Sequence, residues 1–164
     1  MNNYEMLCKM LEMQRELDKA IIMEKAKMLD YPSPSQYCSA IIDEIGELNH
    51  ELKPEWCWWK KNPGEVDRDK VLEELVDIWH FCLSFANSVK YKPNPDTLYE
   101  KYRVLTNVVG FTNNIVNEIT KRNCEEIFKR LLALSHFLRF EMYEVYMAYI
   151  KKNEVNHQRA ESDY

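Results

Sequence analysis

The chain has only three glycines in 164 residues, far below the usual ~7%, and with them goes most of the left-handed backbone that sharp turns draw on. Few tight turns are therefore expected. No run of 18 apolar residues occurs, which removes any candidate membrane span. The first twenty residues carry Glu5, Lys9, Glu12, Arg15, Glu16 and Asp18, which reads against a signal peptide and leads to the expectation of a soluble, cytoplasmic protein. Valine- and threonine-rich alternation long enough for a sheet is missing. The five cysteines, Cys8, Cys38, Cys57, Cys82 and Cys124, are odd in number and lack paired zinc spacing, so they read as reduced, mostly buried thiols. Positive charge is also short: the net charge is −5, which argues against a general nucleic-acid binder. Single nucleotides held through metal stay open.

What is present favours helices, with abundant Ala, Leu, Met, Glu and Lys and a length that suits one domain over residues 1–164. The predicted fold is all-α, a bundle of about five helices around a four-helix core. The first helix is expected from about Asn3 to Leu29, with Met6, Leu7, Met10, Met13, Leu17, Ile21 and Met28 on its core side. Gln14 and Asp18 share another face, which from spacing alone reads as solvated. Tyr31-Pro-Ser-Pro-Ser35 breaks that helix, and Ser35 is the expected N-cap of a second helix that stops before Pro54. A third helix runs from about Asp67 to Ser88. A fourth, capped by Asp96 or Thr97, runs to Thr120, and the last is expected unbroken from Cys124 to about Glu154, with Ile127, Leu131, Leu134, Leu138, Met142 and Val145 facing the core.

The chemistry concentrates between Glu44 and Asp77. Glu44-Ile-Gly-Glu47 and Glu74-Leu-Val-Asp77 are carboxylate pairs at i, i+3, and on a helix each is one patch. At 100° per residue each pair lies beside a core stripe: Tyr37, Ile41, Ile45, Leu48 and Leu52 for the first, Val71, Leu75, Ile78, Cys82, Phe85 and Val89 for the second. If the connector turns the chain back, the pairs stand at similar heights, about 8 and 10 Å of helix from the turn. Four carboxylates there would repel by about 4 kcal/mol per close contact, so a cation is needed. All-oxygen donors suit Mg2+, whereas either pair alone reads as an ordinary solvated face. Glu47-Leu-Asn-His50 and Asp77-Ile-Trp-His80 also match the acid-x-x-His spacing of helical di-iron proteins, although a histidine set among Trp79, Phe81 and Phe85 is more often a satisfied core residue. An interaction-only bundle is the third possibility.

The connector, Glu55-Trp56-Cys57-Trp58-Trp59-Lys60-Lys61, sets tryptophans beside lysines. It reads as a lid over the bundle's end or as a pocket wall beside cations that meet phosphates. In the tail, Lys152, Asn156 and Arg159 fall at i, i+4, i+7 on one face, which is a phosphate-reading row or a frayed polar helix end.

Taken in order, Gln14, Glu44-x-x-Glu47, Trp-x-x-Trp59-Lys60, Glu74-x-x-Asp77 with its following Ile-Trp-His-Phe, and Lys152-Asn-x-x-Asn156-x-x-Arg159 resemble the dimeric dUTPases of the all-α nucleoside triphosphate pyrophosphatase superfamily, to which MazG-like enzymes belong. The resemblance spans nearly the whole chain. It implies hydrolysis of dUTP, and of dUDP, to dUMP in a homodimer, with two or more Mg2+ ions on Glu44, Glu47, Glu74 and Asp77; the charges of such a site then point to Glu47 as the base acting on water. By position Gln14 would contact uracil, Lys60, Lys152 and Arg159 would face phosphates, Asn156 would hold the nucleoside, and Trp56 or Trp59 would wall the pocket. Asp18 would belong to the same site, although it stands where some relatives carry Asn. A related pyrophosphatase acting on another nucleotide such as dCTP stays open.

Overall fold

Free N–H groups at a helix start need acceptors, and this chain supplies them at nearly every start. The protein, seen in a computed structural model that describes residues 1–27, 30–95 and 107–162, has only helices as regular secondary structure within these segments. Helix α1 (Asn3–Asp18) begins at Asn2, whose side chain accepts from the Glu5 N–H while Glu5 reaches back to the Asn2 N–H. Helix α2 (Pro34–Glu51) begins at Ser33 in the same reciprocal arrangement with Gln36. The cap is therefore Ser33 rather than the expected Ser35, because Pro34 fits the first helical position, where its missing N–H costs nothing. After the single turn α3 (Lys53–Trp56), Asp67 caps α4 (Arg68–Ser88) through the Asp69 and Lys70 N–H groups. Asn107 and Asn123 cap α5 (Val108–Thr120) and α6 (Cys124–Phe137), and Glu141 pairs with Glu144 at the start of α7 (Met142–Glu161). The expected cap at Asp96 or Thr97 lies outside the described residues.

Scarce glycine does not prevent sharp turns here. Lys90, Arg122 and Arg139 take φ of 57°, 58° and 62°, each just past a helix end, and the following N–H closes back onto the helix: Tyr91 to the Ala86 carbonyl, Asn123 to Glu118 and Phe140 to Ser135, all at 2.9 Å. These are the Schellman geometries that glycine usually serves. A left-handed non-glycine residue costs about 1–2 kcal/mol, and a cation beside the negative helix end offsets part of it. The turn at Arg139 splits the expected last helix into α6 and α7. Arg68 secures it, donating to the Leu138 and Arg139 carbonyls and lying 4.4 Å over the Phe140 ring.

The first helix also departs from expectation. α1 passes into a π-helical stretch, Lys19–Lys25, whose wider turn shifts the angular position of each later residue. Ile22 is consequently buried, and Ile21, expected in the core, is 38% exposed. Met28 lies outside the described residues. The other predicted core stripes are inside, apart from the half-buried Met13 and Val89.

Helix α4 lies at the centre and packs against α1, α2, α6 and α7, while α5 bridges α2 and α6. Leu75, Ile78, Trp79, Cys82 and Phe85 expose no surface. Truncating a residue such as Leu75 to Ala would cost about 2–5 kcal/mol.

Candidate functional site

Helices α2 and α4 run antiparallel. Tyr37 meets Ser84 and Phe85 at one end, and Glu44 meets Glu74 and Asp77 nearer the connector. Each of these three carboxylates offers an oxygen, and the three oxygens lie within 4.8 Å of one another. Matched spacing from the turn thus brings three of the four paired carboxylates together. Glu47 is more exposed than the trio and stands outside it, over a cleft of about 350 Å³ that it lines with Asp43, Gly46, His50, Glu51 and Glu74.

The crowding shows in the acid strengths. Burial, then the charges of Asp77, Glu47 and Glu74, push Glu44 up to about 7. Burial, then Glu47 and Asp77, push Glu74 up to about 7 as well. Asp77 is also raised by burial, though Lys152 pulls it back. The Lys152 Nζ donates to Asp77 Oδ2 at 2.7 Å and to Glu73 Oε1 at 3.1 Å. Burial works against its charge, but these two carboxylates outweigh burial and its pKa is raised.

A second polar system lies deeper on the same helix. Gln14 and Asp18, expected on a solvated face, are buried, because α7 and α4 both pack over α1. Gln14 Nε2 donates to Asp18 Oδ1 at 2.8 Å, and its Oε1 accepts from Tyr149 Oη at 3.0 Å and from His80 Nδ1 at 2.8 Å. Because Gln14 Oε1 can only accept, the His80 proton sits on Nδ1 and leaves Nε2 a bare acceptor, buried with no hydrogen bond among the described residues. Burial pushes the imidazole down to about 3, so it is neutral. Asn87 Nδ2 donates to Asp18 Oδ2 at 3.4 Å and to the Leu11 carbonyl at 3.1 Å. Burial raises the Asp18 pKa, and hydrogen bonds from Gln14, Ser84 and Asn87 oppose it. Ser84 also shares a hydrogen bond of 3.0 Å with the Tyr37 hydroxyl.

Ser84, Asn87, Glu73, Tyr149 and Asn153 were not foreseen as members of a site. A signal was available: Glu73, Asp77, His80, Ser84 and Asn87 follow at i, i+4, i+7, i+11, i+14, a polar stripe within about 80° of arc through an otherwise apolar helix. Tyr149, Lys152, Asn153 and Asn156 repeat the pattern on α7.

The remaining expected residues are more dispersed. Trp56 and Trp59 are 44% and 58% exposed and touch ring to ring at 5.6 Å. The Trp56 indole donates to the Asn49 carbonyl and lines a cleft of about 630 Å³ with Val109 and Phe137. Lys60 is exposed on the connector, Asn156 is half-buried and Arg159 exposed on α7. The acid-x-x-His pattern does not assemble. His50 is exposed beside Lys53 Nζ at 3.2 Å, His80 is committed to Gln14, and the carboxylate group contains neither. A histidine three residues after an acid shares its helix face but not its depth.

No curated protein matches the chain. A family model described as dUTPase matches residues 6–164, nearly the whole chain, and the protein belongs to the dUTPase family, enzymes that hydrolyse dUTP.

Proposed function

We propose that the protein hydrolyses dUTP, and also dUDP, to dUMP with Mg2+, and that Glu44, Glu74 and Asp77 are the principal metal ligands with Glu47 at the solvent edge. The observation that carries this reading is the convergence of three carboxylates within 4.8 Å in surroundings that raise the proton affinity of all three. Such a donor set, without thiol or imidazole, suits a hard divalent ion. When bound, Mg2+ would neutralise phosphate oxygens and make a coordinated water more acidic.

The protein's own groups supply the remaining chemistry. Glu47, exposed over its cleft, is the carboxylate best placed to receive a proton from water. Lys152, Arg159 and Lys60 carry the positive charge for phosphates, and Lys152 is already held at the carboxylates. Gln14 uses both lone pairs of Oε1 and one N–H inside the protein; its second N–H is left to meet a carbonyl oxygen of uracil. That amide is fixed on three sides, so a base with the wrong donor pattern would leave it unpaired, at a cost of about 1–3 kcal/mol. Asn156 holds the sugar, and Trp56 or Trp59 walls the pocket. A homodimer belongs to the same reading, supported by exposed Tyr143 and Met147, one turn apart on α7, and by Trp56, Val109 and Phe137 around the larger cleft. The expected methionine face of α1 is mostly spent inside the chain's own core.

The test is product analysis over dUTP, dUDP, dCTP and dTTP with and without Mg2+. Metal-dependent dUMP from the two uracil nucleotides is expected. Turnover of dCTP at a rate equal to dUTP would overturn the base assignment, and undiminished turnover in a chelator would overturn the metal assignment.

A further inference from the structure

Lys152 has two anchors of different kind. Asp77 belongs to the trio whose oxygens converge, and the paired lysine and aspartate side chains are only 18% and 19% exposed. Glu73 lies one turn earlier on α4, is 59% exposed and is outside the trio. A carboxylate held by an ammonium at 2.7 Å has less negative charge to give a divalent cation, and the two positive charges repel. Glu73 offers the ammonium a resting place that leaves the trio intact.

From this geometry we propose that Lys152 is a resident counter-ion competing with the metal for Asp77, and that Glu73 is a positioning residue that draws the ammonium aside when the metal enters. The inference rests on the reading of Glu44, Glu74 and Asp77 as metal ligands. It also makes metal and phosphate binding cooperative: an anion that takes Lys152 frees Asp77 for the metal, and by reciprocity the metal frees Lys152 for the anion. The half-buried lysine thereby keeps the folded protein from paying the full carboxylate repulsion while no metal is bound.

The experiment is a Mn2+ titration of the full chain without nucleotide, with free ion read by electron paramagnetic resonance. Lys152→Met, which keeps the apolar stem, is expected to bind Mn2+ about tenfold more tightly than the wild type. Lys152→Arg keeps the charge and stays near the wild type. Glu73→Gln, at an exposed position that folding tolerates, binds about threefold more weakly. In the Lys152→Met background Glu73→Gln has no further effect, because Glu73 acts through the lysine. A Lys152→Met affinity equal to or below wild type overturns the competition. A Glu73→Gln effect that persists without the lysine reduces Glu73 to a distant charge and overturns its positioning role. No Mn2+ binding in any variant overturns the metal reading itself, and this inference with it.

Discussion

Helix α4 serves two carboxylate systems that differ in one respect. Around Asp18 each oxygen meets a neutral donor, Gln14 for one and Asn87 for the other, so the carboxylate ties α1 to α4. Glu44, Glu74 and Asp77 instead crowd one another, and Lys152 bonds directly to Asp77 alone among the three while acting on Glu74 only through its charge. The Asp18 carboxylate is satisfied by hydrogen bonds alone, whereas the second group is left with unanswered negative charge. Burial is common to both, so burial alone does not distinguish a carboxylate already satisfied by hydrogen bonds from one left open to a cation; the neighbours do.

The contrast can be broken by exchanging what each system depends on. Glu74→Gln should lower kcat for dUTP by about 100-fold or more, while the metal-free protein melts at the same temperature as wild type or higher, because a repulsive charge is gone. A clear fall in melting temperature together with retained activity would reverse the assignment. Asp18→Ala should act on stability instead. It strands the buried Gln14 and Asn87 donors, so urea unfolding should show a loss of about 2–4 kcal/mol. Asp18→Asn should lose about 1–2 kcal/mol, because its amide presents a donor where Asn87 already donates.

Acidity sharpens the same comparison. Glu44 and Glu74 titrate near 7 in the folded protein against about 4.3 when unfolded, so between these values the folded state holds more protons. Stability of the metal-free protein from these groups is therefore present at low pH and lost as pH rises through 7. The melting temperature should fall between pH 5 and 8, and saturating Mg2+ should flatten the slope; a rising curve would show that other groups dominate. The smallest expected effect is in the connector. Trp58, 88% exposed, should tolerate Ser with kcat/KM unchanged, whereas Trp59→Ser should raise KM about 3–10-fold. Equal effects at both positions would remove Trp59 from the pocket wall.

Periodicity carried the sequence reading wherever one side of a helix faced water. The stripes of α2 and α4 and the meeting of Glu44 with Glu74 and Asp77 follow from angle and rise alone. It failed where the signal was not periodic. The turn at Arg139 contains neither glycine nor proline, and its left-handed residue is sustained by Arg68, seventy-one positions earlier. The π-helical stretch Lys19–Lys25 changes the residues per turn without a compositional mark. Gln14 and Asp18 looked solvated because a polar face on α1 has the same spacing whether water or the Asn87 and Tyr149 side chains complete it. Only the matching polar stripes on α4 and α7, read together, would have separated the two.

The latched turn at Arg139 also sets a mechanical scale. Because α7 continues from it without another break, any rotation of the helix about a pivot at residues 138–141 would act on an arm with Lys152 about 16 Å and Arg159 about 27 Å along it. A rotation of about 5° at the pivot would carry Lys152 by roughly 1.4 Å and Arg159 by roughly 2.4 Å, so the far end travels nearly twice as far as the lysine. Releasing the latch with Arg68→Ala should therefore speed amide exchange along α7 while leaving α2 unchanged. The same small swing that shifts a hydrogen bond at Asp77 would decide whether Arg159 reaches a phosphate at all.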